Sequence, residues 1–108
     1  MDRRDTIRAM ILRRRVLVAL RGVQGGGYPG WLRDRAIFDF LKFDPEDFTF
    51  QEIKEAGAYL AGKGYVETKD RREDKFSAAE FDGRILPKGI DLLEETIPPD
   101  PGVEDNRQ

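Results

Sequence analysis

A chain of 108 residues holds one domain with one modest core, and its formal net charge of −2 with a pI near 5.2 excludes a surface coated in positive potential. It has no cysteine and no histidine, which excludes a disulfide frame and thiolate chemistry and removes the commonest general base and zinc ligand. No apolar run approaches the roughly 18 residues of a membrane-spanning helix, and the arginine-rich start lacks the apolar run and cleavage site of a signal peptide, so a soluble cytoplasmic protein is expected.

Charge is unevenly placed. Met1 to Val23 carries seven arginines against Asp2 and Asp5, a local +5, which leaves −7 for the remainder. Such asymmetry points to a nucleic-acid or acidic-partner face at one end, against the plainer reading of a solvated helix surface.

Asp5 to Val23 reads as a helix. Ile7, Met10 and Ile11 make one apolar stripe, and Leu12, Val16, Ala19, Leu20 and Val23 make another. With Leu17 and Val18 also apolar, the second half is expected to be buried on most sides. Arg13-Arg14-Arg15 is spread around the axis, so at most two of the three face one partner. Gln24 to Gly30, QGGGYPG, is a connection: a phosphate loop needs Gly-Lys-Ser/Thr opening the next helix, and Gly30 is followed by Trp31-Leu32.

Trp31 to Phe43 reads as a second helix, with Trp31 or Leu32, Ile37, Phe38 and Leu41 apolar, Phe40 and Phe43 crowding the same end, and Arg33, Asp34, Arg35, Asp39 and Lys42 exposed. Asp44 to Asp47 is a turn or a single helical turn, with Asp44 as N-cap and Pro45 at the first helical position. Phe43 and Phe48 flank it as core aromatics.

The third helix is the most strongly signalled. Thr49 and Glu52 form a capping box, Phe50, Ile53, Gly57 and Leu60 recur at helical spacing, and Gly57 is expected to allow close helix approach. Gly64 closes the helix as a residue tolerant of positive φ, and Tyr65-Val66-Glu67-Thr68 follows at once as a strand. Lys69 to Ala79 alternates charge and projects into solvent. Two registers then compete. In one, Arg84-Ile85-Leu86 pairs with Tyr65-Val66-Glu67, with Gly83 as a bulge; in the other, Asp82-Gly83 is a tight turn. The first places both strand bases beside the helices. Pro87 starts a last helix with Ile90, Leu93 and Ile97 as its buried stripe, Leu92 beside them. Pro98 stops it, and residues 98–108 form a Pro-rich tail, frayed or disordered from Val103 onward.

The order helix, helix, helix, ribbon, with Leu60-Ala61-Gly62-Lys63-Gly64-Tyr65-Val66 and then Pro87-Lys88-Gly89-Ile90, resembles winged helix-turn-helix proteins such as the MarR-like and PadR-like regulators. With the tail Glu94-Glu95-Thr96-Ile97 and Asp100-Pro101-Gly102-Val103 included, it resembles small winged-helix proteins of Mu-like phages and prophages. The resemblance implies a mainly α fold with a small β-ribbon over residues 1–97. In members of this fold that bind DNA, the third helix enters the major groove and the wing touches the backbone or minor groove. Carried onto this chain, the groove-facing residues are Thr49, Gln51, Lys54, Glu55 and Ala58, and the wing contacts are Lys69, Arg71, Arg72 and Lys75.

Two functions follow as expectations: a DNA-binding module, such as a phage regulator, or a winged helix serving as a protein-interaction adaptor. The arginines and basic wing residues favour the first; the acidic pI and the glutamates of the third helix favour the second. No enzyme, cofactor or metal is expected, since no carboxylate is paired with a recognisable nucleophile, ligand set or cofactor loop. The early stripe Ile7, Met10 and Ile11 needs cover, and a homodimer through the terminal helices supplies it, with Arg4, Arg8 and Arg15 pairing to Asp2, Asp5 or the Glu94-Glu95 end.

Overall fold

The structure, a computed structural model, describes residues 3–24, 30–42, 47–70 and 81–105. Among these, four helices and three strands follow in the order α1 (Arg3–Gln24), β1 (Leu32–Arg33), α2 (Asp34–Leu41), α3 (Phe50–Gly62), β2 (Val66–Asp70), β3 (Phe81–Ile85) and α4 (Pro87–Leu93). The strands form an antiparallel sheet in the order β1-β3-β2. The fold is α+β, with the sheet laid against a helical core.

α1 is the axis of that core and packs on α2, α3, α4 and β3. Leu12, Val16, Leu17 and Leu20 meet Ile37 and Leu41 of α2, Ile53 and Leu60 of α3, and Val66 and Ile85 of the sheet, all within one buried cluster. Each side chain buried there contributes roughly 1.5–3 kcal/mol. Burial does not extend all round α1, because Val18 is 44 % exposed on the outer side.

α3 begins and ends on the residues that capping chemistry selects. Thr49 Oγ1 accepts the Glu52 amide at 3.1 Å, and Glu52 Oε1 accepts the Thr49 amide at 2.9 Å. Gly64 takes φ +80°, where an L side chain is strained, and lets the chain leave α3 directly into β2. Ile53, Gly57 and Leu60 are buried; Phe50 is half-buried against Phe38 in an edge-on contact. The close neighbour at Gly57 is the sheet rather than a helix: a Cβ there meets the Phe81 ring at 3.1 Å.

The second helix starts later than its apolar residues suggest. Leu32 and Arg33 are extended and pair with Gly83 and Asp82, which makes them the edge strand of the sheet. Asp34, expected in solvent, is 0 % exposed. Its Oδ1 accepts the Arg35 amide at 2.7 Å and its Oδ2 the Phe81 amide at 3.3 Å, so one buried carboxylate joins the start of α2 to the start of β3. Phe40 points outward, among the most exposed apolar residues. The expected turn at residues 44–46 and the core position of Phe43 lie outside the described residues.

The hairpin adopts the register Val66↔Ile85, Glu67↔Arg84, Thr68↔Gly83, Lys69↔Asp82 and Asp70↔Phe81. Asp82 and Gly83 are therefore inside a strand and not a turn. Gly83 is not a bulge either, since it pairs in register on both sides, with Thr68 and with Leu32. Its inner face lies under the Phe81 ring and Leu20. The hairpin tip, residues 71–80, lies outside the described residues.

Pro87 opens α4 in the first turn, as expected. Gly89 sits there because α4 packs on the backbone of Tyr65: a Cβ at this position collides with the Tyr65 carbonyl and lies 2.9 Å from Ile85 Cγ1. The helix ends at Leu93, short of Ile97, where Glu95 turns to φ +65° and the Thr96 amide bonds back to the Asp91 carbonyl at 3.0 Å. Leu92 is the buried apolar side chain of α4, with Ile90, Leu93 and, beyond the helix, Ile97 only partly covered. The tail is packed rather than frayed through residue 105. Val103 is 3 % exposed in the core cluster, and the Glu104 amide donates to the Met10 carbonyl of α1 at 3.1 Å.

Candidate nucleic-acid interface

α3 turns a row of side chains outward. Gln51, Glu55, Ala58 and Gly62, spaced at one helical face, are all exposed, with half-buried Lys54 on the flank. Gln51 Nε2 donates to Glu55 Oε1 at 3.3 Å, which ties the two polar groups of the row together. Thr49 lies at the head of the helix with its hydroxyl taken by the cap. Thr49, Gln51, Lys54, Glu55 and Ala58 therefore share one end and side of α3, although Thr49 acts there as a cap and Lys54 is partly covered.

The head of α3 is held from below by α1. Arg8 sets Nε 2.6 Å from Glu52 Oε2 and Nη2 3.0 Å from Oε1, donates to the Asp47 carbonyl at 2.9 Å, and stacks 4.8 Å from the centre of the Phe48 ring. Bonding to Arg8, aided by the Thr49 amide, outweighs partial burial and lowers the Glu52 carboxyl to about 2. Glu52 is thus spent on the cap and on α1, which leaves Glu55 as the carboxylate of the exposed row. Asp47, just before the cap, takes φ +52°, a left-handed position that brings the chain sharply into α3.

Cations stand at both ends of the helix. Arg35 lies 4.6 Å from the Phe50 ring near the head, and Lys63 lies 5.6 Å from the Tyr59 ring at the foot. A third group lies on the outer face of the sheet around Trp31, with Lys69 Nζ 4.7 Å and Arg84 Cζ 4.8 Å from its ring. Arg84 also pairs with Glu67 across the hairpin at 2.7 Å, and Arg33 of β1 is exposed nearby in the register. Lys69 is therefore held over Trp31 toward the tip end of the paired strands, opposite Asp82. Arg71, Arg72 and Lys75, the other three expected wing contacts, lie outside the described residues.

The arginines of α1 do not form the free basic face that their number suggests. Besides Arg8, Arg13 stacks 3.6 Å from the Tyr59 ring and donates to the Gly102 carbonyl at 2.9 Å, Arg14 donates to the Glu104 carbonyl, and Arg21 pairs with Glu94. The interface pairs expected between subunits for Arg8 and Glu94 are thus made within the chain.

Behind α3 sits a polar cluster with no signal in local sequence. Tyr65 Oη donates to Asp100 Oδ2 at 2.7 Å, Tyr59 Oη donates to Oδ1 at 3.1 Å, and the Gly102 amide donates to Oδ1 at 2.7 Å. Burial alone would raise the Asp100 carboxyl, but these three donors and nearby Lys63 hold it below the usual range. Burial, then the hydrogen bond to Asp100, pushes the Tyr65 phenol up to about 12. The cluster fixes the foot of α3 and the tail against each other.

Chemically, the exposed row suits base edges better than phosphates. A glutamine can bond adenine in a bidentate manner, a glutamate can accept from the cytosine amino group, and an alanine methyl can meet the thymine methyl. The exposed cations that could meet phosphates are Arg35 and Lys63 near the two ends of α3, and Arg33 and Lys69 on the outer face of the sheet. No helix among the described residues is long and apolar enough to cross a membrane. Comparison with known protein families, curated proteins and solved structures returns no match.

Proposed function

We propose that the chain is a winged helix-turn-helix module that lays α3 on double-stranded DNA. The observation that carries this reading is the row Gln51, Glu55, Ala58 and Gly62, open to solvent on a rigidly capped helix that leads directly into the β2–β3 hairpin. Support comes from the element order, in which α2 and α3 form the helix pair and the hairpin the wing, and from the sheet order β1-β3-β2, which ties that hairpin to the strand before α2. Sequence resemblance to small winged-helix proteins of Mu-like phages and prophages gives the role a setting: a cytoplasmic regulator acting on phage or prophage DNA.

Fluorescence anisotropy with random duplex DNA across a salt series tests it. Binding should weaken with salt at a slope of about −3 or steeper in log–log form, each neutralised phosphate contributing about −0.9. Arg35→Ala and Lys69→Ala should each flatten the slope by about 1, whereas Gln51→Ala should change sequence preference and leave the slope alone.

A second reading, a winged-helix adaptor that binds protein, is favoured by one observation: Arg8, Arg13, Arg14 and Arg21 are engaged by the chain's own acceptors. It requires that duplex DNA fail to bind at low salt.

A further inference from the structure

We propose that the groove between the first half of α1 and the tail is a self-association surface, and that its occupant is the same half of α1 from a second copy of the chain. The groove, about 450 Å³, has Ile7, Met10 and Ile11 on one wall and Pro99, Pro101 and Val103 on the other. The tail covers part of the α1 stripe. It is pinned there by the Glu104 amide on the Met10 carbonyl, and beyond it Met10 and Ile11 are half covered while Ile7 stands 46 % exposed. An isoleucine standing at an apolar groove is area that association removes from water.

Charge complementarity names the occupant. The edge of the groove is acidic, formed by Glu104 and Asp105. The matching segment needs apolar side chains with a cation one helical turn away, and α1 has that pattern: Arg4 stands three positions before Ile7, and Met10 three positions after it. Two copies related by a twofold axis across α1 run antiparallel. With the crossing at Ile7, Arg4 of one copy lies opposite the partner's Met10. Because Glu104 is bonded to Met10, each Arg4 arrives beside the partner's Glu104 and Asp105, and the contact is made twice. Arg15, two turns past the crossing, falls where the helices diverge, which keeps like charges apart. This surface lies on α1 and the tail, apart from the exposed row of α3, so the proposal stands whatever α3 binds.

Sedimentation equilibrium of the full chain tests it, with circular dichroism to confirm that each variant is folded. The wild-type chain should dimerise at micromolar concentration. Ile7→Asp should raise the dissociation constant roughly a hundredfold, since two carboxylates would be buried in the apolar crossing. Glu104→Arg should raise it about tenfold, because an exposed pair is worth a few-fold and is made twice. The double change Arg4→Glu with Glu104→Arg should bring it back to within about threefold of wild type. A wild-type chain that stays monomeric to millimolar concentration overturns the proposal. So does a dimer indifferent to Ile7→Asp, or a charge swap that binds no more tightly than Glu104→Arg alone.

Discussion

Glu52 closes the cap of α3 with one oxygen and, through Arg8, fastens that helix to α1 with both: Arg8 Nε lies 2.6 Å from Oε2, and Oε1 is shared between Arg8 Nη2 and the Thr49 amide. The carboxyl is lowered to about 2 from an ordinary value of 4.5. Its contribution to stability is therefore present above pH 4.5 and lost as pH falls from 4.5 toward 2. Because both side chains are nearly one-third exposed, that contribution is on the order of 1–2 kcal/mol after screening. Arg8→Ala should cost about that much at neutral pH and flatten the acid limb of a urea-melt series. An Arg8→Ala profile parallel to wild type down to about pH 3 would show that Arg8 does not hold Glu52.

Asp34 is expected to matter more than an aspartate at the start of a helix usually does. Asp34→Ala should destabilise by about 2–4 kcal/mol, because two amides, of Arg35 and Phe81, lose a buried acceptor and α2 loses its tie to β3. A loss below about 0.5 kcal/mol in chemical denaturation would place this carboxylate in solvent.

At the alkaline end the Tyr65 phenol decides the outcome. Raised to about 12 from 10, it keeps its proton in the folded chain after the unfolded chain has lost its own. The stability it contributes is intact below pH 10 and disappears between pH 10 and 12. Tyr65→Phe should lower stability by about 1–2 kcal/mol at neutral pH, by stripping Asp100 of a donor, and should weaken the alkaline loss. Melts at about pH 8 and pH 11 on both chains would show a smaller drop in the variant.

Two glycines should respond in opposite ways to the same methyl group. Gly89→Ala drives a Cβ into the Tyr65 carbonyl and should cost about 2–3 kcal/mol. Gly62→Ala, at the end of α3 with open space around it, should be neutral or stabilise by up to about 1 kcal/mol. Equal effects would mean that α4 is not seated on the Tyr65 backbone.

Leu60 and Thr49 test the phase and the start of α3. Leu60→Ala should cost about 2–5 kcal/mol, because Leu60 is wholly buried and its loss leaves a cavity. Thr49→Ala should cost about 1 kcal/mol through the cap. Urea melts in which Leu60→Ala is the milder of the two would contradict the packing of α3.

Features written in adjacent residues were readable from the chain itself. The Thr49–Glu52 box, the left-handed Gly64 and the opening Pro87 each act within a turn, so their chemistry implies their conformation. The pairing of Val66 with Ile85 is expected because it places both strand bases beside the helices, although the bulge expected at Gly83 is absent. Features set by distant partners were not readable. Asp34 looks like a solvated helix residue until Phe81 is brought to it, and Arg8 reads as an arginine facing a second chain until Glu52 is placed above it. Leu32 and Arg33 become a strand only because β3 offers them an edge. Pro98, Pro99 and Pro101 suggest a loose end, yet Asp100 and Val103 between and after them carry the contacts that order it. Of the DNA-facing residues proposed from resemblance, Gln51, Glu55 and Ala58 share an open row, Thr49 is occupied as a cap, and Lys54 is half-buried.

The bond between Arg13 and the Gly102 carbonyl joins positions 89 residues apart, and the Glu104 amide on Met10 spans a similar stretch. A chain made from its N-terminus produces α1 first and must wait for residues 100–104 before that helix gains its last neighbours. Until then the Met10 edge is bare to any other nascent chain. Closing so long a loop costs entropy that grows only slowly with length, so its effect falls on the rate and timing of folding more than on final stability. The order of synthesis thus leaves this edge of α1 open to association until the tail is made and docks on it.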